Sequence, residues 1–128
     1  MHQVERGATT IWETWDAYDD HGRGKGSHNH YAFGAVAQWL IEGIVGISPA
    51  EPGYRVVRVQ PLVGGGITHA AATITTPFGR ARSSWRLHGD RVELEVTIPP
   101  GATGDVRLGD GRAERVGSGA HGFEWKTG

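Results

Sequence analysis

The chain contains no cysteine, which excludes both a disulfide framework and thiolate metal ligands. Its formal net charge is only −1, so no charge excess points to nucleic acid or to an anionic membrane as a partner. No apolar run approaches the ~20 residues needed to cross a bilayer. The first residues, MHQVERG, lack the apolar core of a signal peptide. None of these absences assigns a compartment, and cytoplasmic and secreted locations both remain open. Internal repeats and low-complexity tracts are missing as well. What is plentiful is glycine, 21 residues in a chain of 128, which suits a turn-rich β region. The length fits one domain, or one domain with a piece of another.

Periodicity divides the chain in two. From Tyr54 onward it reads as short strands. In RVELEVTIP, Val92, Leu94, Val96 and Ile98 fall on one side and Arg91, Glu93, Glu95 and Thr97 on the other. In GRARSSWRLH, Ala81, Ser83, Trp85 and Leu87 alternate with Arg80, Arg82, Ser84, Arg86 and His88. Strict alternation of this kind marks strands with one buried face. Turn signals separate them at HGD (residues 88–90), TPFG (76–79) and GDG (109–111). Further strands are expected at 55–60, 67–76, 104–108, 112–116 and 122–125. About seven short strands suggest a small antiparallel β-sandwich. Arginines at 80, 82 and 86 read as solubility and edge protection on one strand face, and Trp85 reads as sandwich core. The segment SPAEPG (48–53) reads as a linker or element boundary.

The N-terminal part ends in YAFGAVAQWLIEGIV, residues 31–45, whose strongly polar side chains are Gln38 and Glu42 alone. Asn29 and Gly46 suit its cap and its stop. A surface helix carries a polar face; this one is apolar nearly all round and is expected to be buried among several neighbours. A small sandwich covers one side of such a helix at most. The remaining faces call for a longer protein or for self-association through Tyr31–Val45. Trp39, inside this run, reads as core.

Ahead of the helix lies GATTIWETWDAYDDHGRGKGSHNHYAFG. It offers Glu13 between Trp12 and Trp15, and His30 before the helix. A carboxylate in a partly apolar setting can have its basicity raised. Tryptophan offers a broad flat apolar face, and imidazole both donates and accepts. The plainer readings are a solvated loop carboxylate, a structural histidine and core indoles. Asp16, Asp19, Asp20, His21 and His28 raise the question of a metal, but their spacing matches no recognised loop, so neither a metal nor another cofactor is expected. HGRGKGS has no preceding strand and no Walker pattern, which leaves a phosphate cradle unsupported.

Four blocks, GATTIWETWD, NHYAFGAVAQWL, PGYRVVRVQP and TPFGRARSSW, occur in an order that resembles the C-terminal end of bacterial α-L-rhamnosidases of glycoside hydrolase family 78. The likeness covers almost the whole chain. It implies a mostly β fold: a small antiparallel sandwich (54–128) preceded by the last loop and buried helix (1–50) of a large (α/α)6 barrel. It also implies an inverting hydrolase of terminal α-L-rhamnosyl glycosides, which needs two carboxyl groups ~6.5–9.5 Å apart. By this resemblance Glu13 is the general base, and His30, Trp12 and Trp15 bind the sugar. The family's general acid lies upstream of the region present here, so the isolated chain is expected to be inactive. The alternative is a non-catalytic module for packing, self-association or carbohydrate binding.

Overall fold

A computed structural model describes residues 2–15 and 17–128, with the side chains of His2 and Phe33 left out of the description. It divides into two compact units, Met1–Gln38 and Trp39–Gly128. In the first, a short helix α1 (His2–Glu5) precedes an irregular loop, and the helix α2 (Tyr31–Trp39) follows it.

The second unit opens at Trp39, the last residue of α2, and a π-helix spans Leu40–Val45. The expected helix over 31–45 is therefore present, but its last six residues are wound more loosely. The reason lies at its end. Gly46 adopts φ 81°, and its N–H reaches back to the Ile41 carbonyl, the wider i−5 closure of a π turn. The carbonyls a helix end leaves unpaired are taken up in succession. The Leu62 N–H donates to Gly43 (3.0 Å) and the Gln60 N–H to Gly46 (2.7 Å). Trp85 Nε1 donates to Ile44 (2.8 Å) and Ser83 Oγ to Val45 (3.0 Å). A Cβ at Gly46 would lie 2.2 Å from Pro61 N, so glycine is required there by conformation and by space.

Eight strands follow: β1 (Ile47–Pro49), β2 (Val56–Val59), β3 (His69–Thr76), β4 (Gly79–His88), β5 (Arg91–Ile98), β6 (Thr103–Arg107), β7 (Ala113–Val116) and β8 (Gly119–Lys126). They form two four-stranded sheets, ordered β1-β2-β6-β7 and β3-β4-β5-β8. Both contribute to one apolar cluster that includes Val57, Val59 and Val106 from the first sheet and Ala81, Trp85, Val92, Leu94 and Val96 from the second. The mostly β sandwich expected from the alternation is what forms, and β4 and β5 bury the faces expected of them. The three turns are as read, with Thr76 opposite Gly79 and His88 opposite Arg91.

Three features differ from the sequence reading. A strand not expected from the sequence, β1, begins at Ile47, a fully buried residue, and pairs with β2, so that 48–53 is the element boundary between β1 and β2. The sheet β1 joins is mixed, since β2 and β6 run parallel while the other pairs are antiparallel. Edge protection does not explain Arg80, Arg82 and Arg86, because β4 is an interior strand.

The apolar segment 31–45 shows its shortage of neighbours directly. Val45 is buried, but Tyr31 is 88% exposed, Val36 59%, Trp39 56% and Leu40 43%. Trp39 is thus not core within this chain. The sandwich supplies partners at the π turn, through Ser83 and Trp85.

Candidate functional site

Residues 10–30 fold as an irregular hairpin. Its closed end is set by Asp19: the carboxylate accepts the N–H groups of His21 and Arg23 through Oδ1, each at 2.9 Å, and Arg23 Nε through Oδ2 at 2.8 Å. This is the way aspartate stabilises a turn against its own backbone. The Arg23 backbone bond, opposed by some desolvation, and then the Arg23 and His21 bonds and Lys25 hold Asp19 below the usual carboxylate value. Tyr18 bridges Gly24 across the hairpin, and the Lys25 N–H donates to the Ala17 carbonyl at 2.8 Å. The acidic and histidine residues that raised a metal question are thereby partly accounted for. Among the described residues no group of three or more His, Asp or Glu side chains is placed to hold a metal ion. Asp16 lies outside the described residues.

The open end holds Glu13 and His30. The Glu13 N–H donates to the Ser27 carbonyl (2.8 Å), and the His30 N–H donates to the Ile11 carbonyl (2.8 Å). Thr10 Oγ1 donates to the His28 carbonyl. These bonds set the segment bearing Glu13 beside the segment bearing His30. The Glu13 side chain is exposed, and its Oε2 accepts the Ser27 N–H at 2.8 Å. His30 is half-buried, with its ring stacked on Tyr31 at 6.4 Å between centroids.

The two indoles that flank Glu13 part company. Trp15 is 69% exposed, whereas Trp12 is 6% exposed. Trp12 packs edge-on against Tyr18 at 5.3 Å and lies 6.0 Å from the His28 ring. His28 Nε2 meets the Ala17 carbonyl at 3.2 Å and Nδ1 meets the Tyr18 hydroxyl at 3.3 Å. A carbonyl only accepts, so Nε2 carries a proton and the Tyr18 hydroxyl partners Nδ1. Gln3 reaches the same stretch from α1, its Nε2 within 3.4 Å of the Trp12 carbonyl and 3.3 Å of the Thr14 carbonyl. The Thr14 hydroxyl is buried and has no hydrogen-bond partner among the described residues.

Gln3, Tyr18 and Ser27 were not singled out in the sequence, and His28 was weighed there only as a metal ligand. Their partners stand 9 to 14 residues away, beyond any local period. Gly26 and Ser27 sit in HGRGKGS, where the sequence raised only an unsupported phosphate cradle.

An open concavity lies on the outer face of β3-β4-β5-β8. It measures about 740 Å³ and is lined by residues that include Arg82, Ser84, Arg86 and Glu95. Its aromatic neighbours, Trp85 and Phe123, belong to the sandwich core, so it offers no flat aromatic platform of the kind that stacks on sugars.

The family model for the bacterial alpha-L-rhamnosidase C-terminal domain matches residues 46–123. The chain belongs to the bacterial α-L-rhamnosidase family. The model for the family's six-hairpin glycosidase domain matches residues 1–44. An α-L-rhamnosidase of Formosa agariphila is 36% identical over 120 residues, which cover 91% of this chain and 13% of that protein. The α-L-rhamnosidase structure from Aspergillus terreus superposes with a TM-score of 0.76 at 38% identity, over 95% of this chain and 15% of the other. The Streptomyces avermitilis enzyme, solved with L-rhamnose, gives 0.76 at 33% identity over 96% of this chain and 14% of its own. The chain therefore spans about one seventh of these relatives and corresponds to their C-terminal part.

Proposed function

We propose that this segment supplies the general base and part of the sugar-binding wall of an inverting α-L-rhamnosidase, with residues 1–50 closing an (α/α)6 barrel and residues 54–128 forming the domain that follows. One observation carries the reading. Within the family match, Glu13 is exposed, and its backbone and one carboxylate oxygen are fixed by hydrogen bonds to the segment that carries His30.

In the inverting reaction, water attacks the anomeric carbon from the face opposite the leaving group. Glu13 takes the proton from that water as the new C–O bond forms. A second carboxyl protonates the glycosidic oxygen as the old bond breaks. The motifs of this chain offer no second carboxyl at a matching position, so the acid belongs to residues outside it. His30 donates to and accepts from sugar hydroxyls, and Trp15 presents a flat face to the ring. Trp12, packed on Tyr18 and His28, completes that wall from behind. No step calls for a cofactor.

Two preparations test this with a chromogenic α-L-rhamnoside. The 128-residue chain alone gives no turnover. The Formosa enzyme carrying this chain in place of its own matching segment is active, and Glu13→Gln in that hybrid lowers kcat by a factor on the order of 10³ or more. Retained activity in the variant refutes the assignment of Glu13.

A second reading is favoured by the exposed side chains Tyr31, Val36, Trp39 and Leu40. Large apolar groups left in water drive association, and the isolated chain then pairs with its own copy through Tyr31–Val45. Sedimentation velocity over a hundredfold concentration range decides it: a monomer throughout rules this out.

A further inference from the structure

We propose that the Gly26–Ser27 turn is the positioning element for the Glu13 carboxylate, an inference that rests on the assignment of Glu13 as base. Ser27 grips Glu13 at both ends. Its carbonyl accepts the Glu13 N–H, and its own N–H donates to Oε2, each at 2.8 Å. A glutamate side chain has three rotatable bonds, and a free one samples many rotamers. Closing the ring through a backbone N–H, which has no torsion of its own, selects one. Oε2 is engaged, and Oε1 is the oxygen left to receive the proton of the attacking water.

Gly26 makes the turn, and its identity matters twice. Its φ is +68°, a left-handed conformation that disfavours residues with a side chain. A Cβ there would stand 3.0 Å from Glu13 Oε2, with the Glu13 Cβ at 3.7 Å. The carboxylate occupies the space that any larger residue at position 26 would need. Ser27 also ties the two halves of the site, because its Oγ accepts the Asn29 N–H at 3.3 Å immediately before His30. The placement of the base and that of the sugar-binding histidine thus share one residue. Ser27 and Gly26 touch no substrate in this scheme and act through Glu13.

The decisive measurement is a pH titration of the labelled 128-residue chain by NMR. The Ser27 amide proton is expected to move downfield with the same midpoint as the Glu13 side-chain carboxyl carbon, and to stop moving in Glu13→Gln. A Ser27 amide that does not follow Glu13, or that still titrates in the variant, overturns the proposal. In the hybrid enzyme, Gly26→Ala is expected to lower kcat by roughly ten- to a hundredfold with KM within about twofold, as for a displaced catalytic group. The Ser27 response should be lost in the same variant of the chain. Full kcat in Gly26→Ala overturns the proposal too. The two ideas fail differently. Tracking by Ser27 with hydrolysis retained in Glu13→Gln removes the base assignment, and the clamp's catalytic meaning with it. No tracking, with hydrolysis lost in Glu13→Gln, removes the clamp alone.

Discussion

Replacing Ser83 with alanine isolates one bond of the anchor that holds the π turn to the sandwich. The Ser83 side chain is fully buried, and its hydroxyl donates to the Val45 carbonyl at 3.0 Å. Alanine differs by that hydroxyl alone and fits the same space, so no large cavity forms. What remains is a carbonyl at a helix end with neither water nor protein to satisfy it. An unsatisfied buried acceptor costs about 1–3 kcal/mol. For a unit the size of Trp39–Gly128 this corresponds to roughly 5–20 °C in Tm. Urea unfolding at pH 7, followed by the fluorescence of buried Trp85 and Trp125, measures it. Trp85→Phe removes the neighbouring bond, from Nε1 to the Ile44 carbonyl. The two bonds restrain consecutive residues of one turn, so the double variant should lose less than the sum, with a coupling of about 0.5 kcal/mol or more. A Ser83→Ala midpoint equal to or above that of the unmodified chain would refute the anchoring argument.

Three further outcomes are expected. Gly46→Ala forces a Cβ to within 2.4 Å of three backbone atoms of Gln60 and Pro61 at a φ of 81°, so it should cost about 4 kcal/mol or more, read as loss of the cooperative urea transition. Burial pushes Asp105 up, but hydrogen bonds from Arg107 and Arg58 and their charges outweigh it and hold the carboxyl below its usual value. A depressed folded value means the stabilisation is present above the unfolded value of about 3.9 and is lost as pH falls through the folded one. Asp105→Asn should therefore flatten the fall in stability between pH 5 and pH 2, and an unchanged slope in urea melts across that range counts against it. Trp15→Ala in the hybrid enzyme should raise KM about tenfold with a smaller change in kcat, and an unaltered KM would take Trp15 out of the sugar wall.

Most of the sandwich was legible. Strands β4 and β5 announce themselves because side chains alternate at period two, with one face apolar throughout in β5 and apolar except for Ser83 in β4. Their hairpin follows from a glycine at φ 63° between them. The helical segment was legible too, including its want of neighbours, since an apolar surface on every side cannot rest in water. These are local facts, written within ten to fifteen residues of chain.

The rest depended on residues that meet only in space. No local pattern shows that Ile47 pairs with Val59, or that Val56 lies parallel to Thr103. The four donors that close the π turn come from Gln60, Leu62, Ser83 and Trp85, 14 to 41 residues from the carbonyls they satisfy. The site divides in the same way. Glu13, His30 and Trp15 were found as residue types inside a motif. The burial of Trp12 against Tyr18 and His28, and the grip of Ser27 on Glu13, came from tertiary structure alone. Side-chain periodicity records which face of an element is apolar. It does not record which distant backbone group will be left unpaired, and satisfying those groups is what orders this loop and this turn.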